Sequence, residues 1–158
     1  MARSFLARGD KVFVTSRDAA KVSEAVATLR ETFGNDSVAG LEADVSKAAS
    51  VEAMANACVD TFGGVDVWIN NAGSNGYKYD NLEEADPSVL EEVVLTNSLG
   101  SLLCTRQAIK TMRKTSGRGH IFNMEGAGSD GSATRKFAAY GHTKAGMAQL
   151  SKTMAEEL

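Results

Sequence analysis

The residues best suited to chemistry in this sequence are Tyr140 and Lys144, which lie in the stretch Tyr-Gly-His-Thr-Lys. A spacing of four residues places both side chains on one face of a helix. A lysine ammonium beside a phenol favours the phenolate, so a tyrosine in this setting can serve as a general acid or base. The alternative is a partly buried tyrosine next to a solvated lysine, and the isolated pair leaves both interpretations open.

Two further candidates are Asn97 and the turn Asn70-Asn71-Ala72-Gly73. Asn97 lies among apolar residues of a predicted helix, and a buried asparagine needs hydrogen-bond partners. It therefore indicates a functional role, or else a structural network or a local kink. The turn follows a β-rich run, and at the carboxyl end of a parallel strand it would let a flat or phosphorylated ligand approach the backbone. Asn and Gly are also common in plain turns.

The dipeptide Asp44-Val45 ends another β-rich run and would lie at the same ligand-binding edge of a parallel sheet. The alternative is a helix N-cap or a turn, for which Ser46 is equally suited. No metal site is predicted, because Cys58 and Cys104 have no Cys or His neighbours at the spacing of zinc ligands.

Short β-rich runs alternate along the chain with segments of helical periodicity. The predicted strands cover residues 11–16, 37–43, 65–70 and 120–124, and the predicted helices cover residues 22–33, 51–62, 86 to about 114, and about 137 to the end. Asp86-Pro87 is typical of a helix start, with Asp as the N-cap and Pro at the first helical position. The alternation predicts an α/β fold, a doubly wound parallel sheet with right-handed crossovers, in a single domain over residues 1–158.

The composition excludes several classes of protein. With 43% hydrophobic and 23% charged residues, the chain of 158 residues is typical of one globular domain rather than of a disordered segment. A net charge of −3 argues against a nucleic-acid binder, which usually has a basic excess. The apolar runs are shorter than the ~18 residues of a membrane span, so no transmembrane segment is predicted.

Taken together and in this order, these features resemble the short-chain dehydrogenase/reductase family, whose fold is Rossmann-like. The resemblance covers essentially the whole chain. It implies that Tyr140 is the catalytic acid, that Lys144 holds the nicotinamide ribose, and that Asn97 supports a water relay to the lysine. The residues that match the cofactor contacts are Asp44 and Val45 on the adenine side and Asn71, Ala72 and Gly73 in the supporting turn, together with Tyr140 and Lys144.

Within that family, the stretches GSLLCTRQAIKTM, GHIFNMEGAGSDGSAT and FAAYGHTK resemble chlorophyll(ide) b reductases. The resemblance implies reduction of the formyl group of chlorophyll(ide) b to the 7-hydroxymethyl pigment during chlorophyll breakdown. It also implies a chloroplast, thylakoid-associated protein, with another copy or a reductase paralogue as a possible partner. Two alternatives stay open: a short-chain carbonyl reductase with another substrate, and a non-catalytic scaffold in a pigment complex.

The family serine and the cofactor type need separate arguments. Most relatives carry Ser-Ser where this chain has Glu125-Gly126, so Ser129 in the following glycine-rich loop is either the replacement or an ordinary loop serine. Ser16 and Arg17 offer a hydroxyl and a cation that suit a 2′-phosphate and favour NADPH. The neighbouring Asp18 keeps NADH open, because an acid there accepts a ribose 2′-hydroxyl.

The family's first strand, with its glycine-rich pyrophosphate turn, and its last strands have no counterpart in this sequence. The chain is therefore expected to be truncated at both ends and to leave a gap at the centre of the sheet. Unpaired inner edges favour aggregation. We accordingly expect the 158-residue chain on its own to fold poorly and to bind no cofactor.

Overall fold

The computed structural model describes residues 1–76 and 80–158. The chain forms two compact units, one made of Met1–Asp66 and Gln107–Gly119 and the other of Val67–Arg106 and His120–Leu158. Strands are parallel in both units, which confirms the predicted α/β class. The described strands form two separate two-stranded sheets.

The first unit contains α1 (Ala2–Leu6), β1 (Val12–Ser16), α2 (Ala19–Phe33), β2 (Val38–Glu42) and α3 (Ala48–Phe62). Strands β1 and β2 pair in register from Val12 opposite Val38 to Ser16 opposite Glu42. The predicted apolar face of α2 is confirmed, because Val22 and Leu29 are buried and Leu29 packs with Leu6 and Val38.

Gly40 allows β2 to approach its neighbours closely. A Cβ at this position would lie 2.6 Å from the carbonyl oxygen of Val14 and 2.9 Å from Cγ1 of Val22. A larger residue would therefore push β2 away from β1 and α2.

The second unit contains β3 (Val67–Asn70), α4 (Pro87–Val94), β4 (His120–Asn123) and α6 (Ala138–Glu157). Helix α5 spans Gly100–Thr115, and its first part, up to Arg106, also belongs to the second unit. Strands β3 and β4 pair from Val67 opposite His120 to Asn70 opposite Asn123. The predicted start at Asp86 is confirmed, because its carboxylate accepts a hydrogen bond of 2.9 Å from the backbone N–H of Ser88.

The long helix predicted from residue 86 to about 114 is interrupted. Leu95–Leu99 form a π-helical turn between α4 and α5. Single π-helical turns widen a helix by one residue and are frequent at functional sites. This turn contains Asn97, the polar residue that the sequence singled out.

Within the part of the chain that the structure describes, we find no helix that is both long enough and apolar enough to cross a bilayer.

Candidate active site

The carboxamide of Asn97 is the centre of the hydrogen bonding in the second unit. The residue is only 2% exposed. Its Oδ1 accepts from the backbone N–H of Ser74 at 2.8 Å, and its Nδ2 donates to the carbonyl of Ser74 at 2.8 Å. Nδ2 also donates to Oγ1 of Thr143 at 3.0 Å. Asn97 thus joins the segment that follows β3 to the first turns of α6.

Thr143 connects Asn97 to the backbone of Tyr140, the predicted acid. Its side chain is buried, and its hydroxyl donates to the backbone carbonyl of Tyr140 at 2.7 Å. The hydroxyl therefore accepts from Asn97 and donates to the backbone of Tyr140 at the same time. Among the described contacts, Asn97 reaches the Tyr140 backbone through Thr143 and makes no hydrogen bond to Lys144.

Tyr140 and Lys144 lie on the same side of α6, as their spacing predicts. The Lys144 Nζ is 5.6 Å from the centroid of the Tyr140 ring and donates to the carbonyl of Met124 at 2.7 Å. The rings of Phe137 and Tyr140 pack in a T-shaped arrangement, with the centroids 5.8 Å apart. Lys144 is only 7% exposed, and this burial lowers the pKa of its ammonium below the ordinary value.

The ammonium of Lys144 retains the capacity to bind a ligand. It has three N–H donors, and in the described part of the chain one of them is donated to the carbonyl of Met124. The remaining donors are of the kind that ribose hydroxyls accept. The donor set thus fits the role that the family resemblance gives to Lys144.

Ser129 is placed in the loop by two hydrogen bonds of its hydroxyl. Oγ accepts from the N–H of Gly126 at 3.0 Å and donates to the carbonyl of Lys144 at 3.3 Å. Its single proton is thereby directed at the α6 backbone. The hydroxyl would have to rotate away from Lys144 before it could donate to a substrate oxygen.

The end of β3 is fixed by a chain of side-chain hydrogen bonds. Asn70 accepts from the Trp68 indole at 2.9 Å and donates to Thr105 at 2.9 Å and to Asn123 at 2.8 Å. The turn that follows, residues 71–73, is exposed. The strand end is therefore held by side-chain hydrogen bonds, whereas the turn after it is exposed to solvent.

In the first unit, Asp18 is the N-cap of α2. Its Oδ1 accepts from the backbone N–H of Lys21 at 3.1 Å, and this bond, with the Lys21 charge, lowers the pKa of the Asp18 carboxyl. The Asp18 N–H also meets Oγ of Ser16 at 3.3 Å. Arg17 lies between these two residues and is exposed. Asp18, which left the cofactor type ambiguous, therefore has a structural role as the N-cap of α2.

Asp44 forms the turn that the sequence left as an alternative. Its Oδ1 accepts from the hydroxyl of Ser46 at 2.7 Å and from the Ser46 N–H at 3.0 Å, and these bonds lower the pKa of the Asp44 carboxyl. Lys47 adds an ion pair at 3.4 Å. Val45, the next residue, is half-buried. The turn gives Asp44 a structural role beside the adenine contact that the resemblance implies.

Three participants were absent from the sequence prediction: Ser74, Thr143 and the backbone carbonyl of Met124. Thr143 lies within the Tyr-Gly-His-Thr-Lys stretch, but its partner Asn97 is 46 residues away. A buried threonine looks like any helical threonine until its partner is known. In the sequence, the role of Thr143 was indicated only by its position directly before Lys144.

Comparison with known proteins places this arrangement in a wider group. The family model described as short chain dehydrogenase matches residues 1–158. Chlorophyll(ide) b reductase NOL, chloroplastic, of Oryza sativa subsp. japonica is 45% identical over 158 residues, which are 100% of this chain and 46% of that protein. The chain spans about half the length of the curated relatives it matches.

Solved structures show the same fold. The 3-ketoacyl-(acyl-carrier-protein) reductase of Brucella melitensis, complexed with NADH, is 29% identical with a TM-score of 0.88, over 99% of this chain and 63% of that one. An actinorhodin polyketide ketoreductase solved with NADPH is also 29% identical with a TM-score of 0.88, over 99% of this chain and 58% of that one.

Asn97→Ala should destabilise the natural protein at its full length. The substitution leaves the buried N–H and carbonyl of Ser74 without partners, at a cost of roughly 1–3 kcal/mol for each group. Urea unfolding measures the loss. Gln149→Ala, which removes an exposed hydrogen bond on α6, is the matched control. If both variants unfold at the same urea concentration, the Asn97 contacts do not stabilise the fold as described.

Proposed function

Because the chain belongs to the short-chain dehydrogenase family, we propose that the protein is a nicotinamide-dependent oxidoreductase that reduces the formyl group of chlorophyll(ide) b to a hydroxymethyl group. The observation that carries the proposal is the connected set Asn97, Thr143, Tyr140 and Lys144, in which a buried lysine lies against the ring of a tyrosine. The 45% identity to a chlorophyll(ide) b reductase supports the choice of substrate.

Tyr140 is the proposed proton donor. Reduction of an aldehyde places negative charge on its oxygen, and the phenol hydroxyl can pass a proton to that oxygen as the charge develops. The Lys144 ammonium, 5.6 Å from the ring centroid, carries a positive charge that would attract the negative charge left on the tyrosine oxygen after the transfer. Asn97 acts at a distance, because it holds Thr143 and thereby the backbone of Tyr140. The water relay from Asn97 to Lys144 remains a proposal.

Lys144 and the turn at residues 71–73 are the proposed contacts for the nicotinamide half of the cofactor. A bound nicotinamide supplies the hydride. The N–H donors that Lys144 does not give to Met124 would hold the ribose hydroxyls. The exposed turn of Asn71, Ala72 and Gly73 would support the ring from its backbone.

NADPH is the proposed cofactor in preference to NADH. Arg17 offers the cation that a 2′-phosphate requires, and Ser16 a hydroxyl. The negative charge of Asp18 opposes a phosphate, but its carboxylate caps α2 and pairs with the ammonium of Lys21 at 3.7 Å, which offsets part of that charge. Asp44 and Val45 are the proposed adenine-side contacts. Relatives of this fold were solved with either nucleotide, so the preference depends on these side chains.

We further propose a chloroplast protein that is associated with the thylakoid membrane. The names of the related reductases support the chloroplast assignment. A second copy or a reductase paralogue is the proposed partner, supported by the exposed apolar residues Leu95, Leu99 and Leu102 at helical spacing.

Tyr140→Phe should abolish pigment reduction in the natural protein at its full length. The variant keeps the ring that Phe137 and Lys144 contact and removes only the hydroxyl. We expect kcat to fall by about 10²–10⁴-fold, the usual contribution of a general acid, with NADPH binding retained. Chromatography of chlorophyllide b and its alcohol measures turnover.

Three results would contradict the proposed acid or the proposed substrate. A kcat within a few-fold of the wild type would remove Tyr140 from the chemistry. Pigment binding without turnover by the wild type would favour the scaffold alternative, and turnover of other aldehydes alone would favour the carbonyl reductase alternative.

Arg17→Ala should weaken NADPH binding much more than NADH binding. Loss of a charge-assisted contact to the 2′-phosphate costs on the order of 1–3 kcal/mol, whereas NADH has no phosphate at that position. Fluorescence titration of both nucleotides measures the difference. Arg8→Ala, another exposed arginine of the first unit, is the control. Equal losses for NADPH and NADH would show that Arg17 does not read the phosphate.

A further inference from the structure

Gly126 occupies the place of the family serine, and its backbone does not require glycine. Its neighbours Gly128 and Gly131 have positive φ values of 98° and 82°, whereas Gly126 has an ordinary φ. The constraint at Gly126 is steric. A Cβ there would fall on the hydroxyl oxygen of Tyr140 and would lie 3.1 Å from its Cζ and 3.2 Å from its Cε1.

The loop that carries Gly126 cannot easily retreat from such a side chain. The Gly126 N–H donates to Oγ of Ser129, and its carbonyl accepts from the Ser129 N–H at 3.0 Å. Oγ of Ser129 in turn donates to the Lys144 carbonyl. Gly128 packs so closely that a Cβ there would lie 2.8 Å from Cα of Gly141. The loop backbone is therefore tied to α6 within three residues of Gly126.

Tyr140 is the part that would have to move. Its backbone carbonyl accepts a hydrogen bond from Thr143, and its ring contacts Phe137 and the ammonium of Lys144. A side chain at position 126 would displace the hydroxyl and change its distance to the ammonium. A shift of about 1 Å in a reacting group can cost 10²-fold in rate.

We propose that Gly126 is a positioning residue for the acid: the missing side chain lets the hydroxyl of Tyr140 lie directly against the loop. The proposal rests on the proposed function for its effect on turnover. Most relatives carry a serine at this position. A serine restored at position 126 adds a hydroxyl but displaces that of Tyr140, so it lowers activity instead of raising it.

The test compares Gly126→Ala and Gly126→Ser with Gly146→Ala in the natural protein at its full length. Gly146 is on α6, and a Cβ there meets nothing within 4 Å. With chlorophyllide b and NADPH, we expect kcat to fall by about 10²-fold in both Gly126 variants, with the Kd for NADPH unchanged. Gly146→Ala should retain wild-type kcat. Wild-type kcat in Gly126→Ala, or a higher kcat in Gly126→Ser, would overturn the proposal.

A second measurement needs no turnover. Gly126→Ala is introduced into the wild type and into Tyr140→Phe, and the four melting temperatures form a double-mutant cycle. Tyr140→Phe removes the hydroxyl that the new Cβ would meet, so Gly126→Ala should lower the melting temperature less in that background. Equal decreases would overturn the steric contact. If the cycle shows coupling and the wild type reduces no pigment, the proposed function fails and the contact stands.

Discussion

The second unit depends on one requirement: the carboxamide of Asn97 must be fully hydrogen-bonded because it is buried. It meets this requirement with the two backbone groups of Ser74 and the hydroxyl of Thr143. Each partner belongs to a different segment, so satisfying one side chain fixes the segment after β3 against α6. Asn97 lies in the π-helical turn Leu95–Leu99, which interrupts the long helix at this junction.

The loop before α6 is rich in glycine and is nevertheless held in one conformation by contacts of its own. The hydroxyl of Ser129 accepts from the Gly126 N–H within the loop and donates to the Lys144 carbonyl on α6. The backbone of Gly128 packs closely against that of Gly141. Glycine here permits close approach between backbones, which fixes their separation more strictly than a layer of side chains would. The hydroxyl of Tyr140 then lies against a backbone whose position is set.

Local features were predictable from the sequence, and long-range pairings were not. The apolar spacing of α2 and the Asp86-Pro87 start depend on neighbours within four residues, and both predictions were confirmed. The π-helical turn was not predicted as such, although a local kink or a structural network at Asn97 was among the alternatives. The capping role of Asp18 and the attachment of Ser129 to α6 were also hidden, because each depends on which of several acceptors or donors the folded chain brings close.

The buried ammonium of Lys144 makes an unfavourable contribution to the stability of the folded chain. Burial lowers the pKa of its ammonium from the ordinary 10.5, so the charged form is disfavoured in the folded chain relative to the unfolded one. That cost is fully present below the lowered pKa and disappears as the pH rises through the ordinary value. Hydrogen bonds offset it when they reach the ammonium, and Met124 provides one. A ligand that accepts the remaining N–H groups would offset more, so its binding to the folded state would stabilise the unit that carries Tyr140.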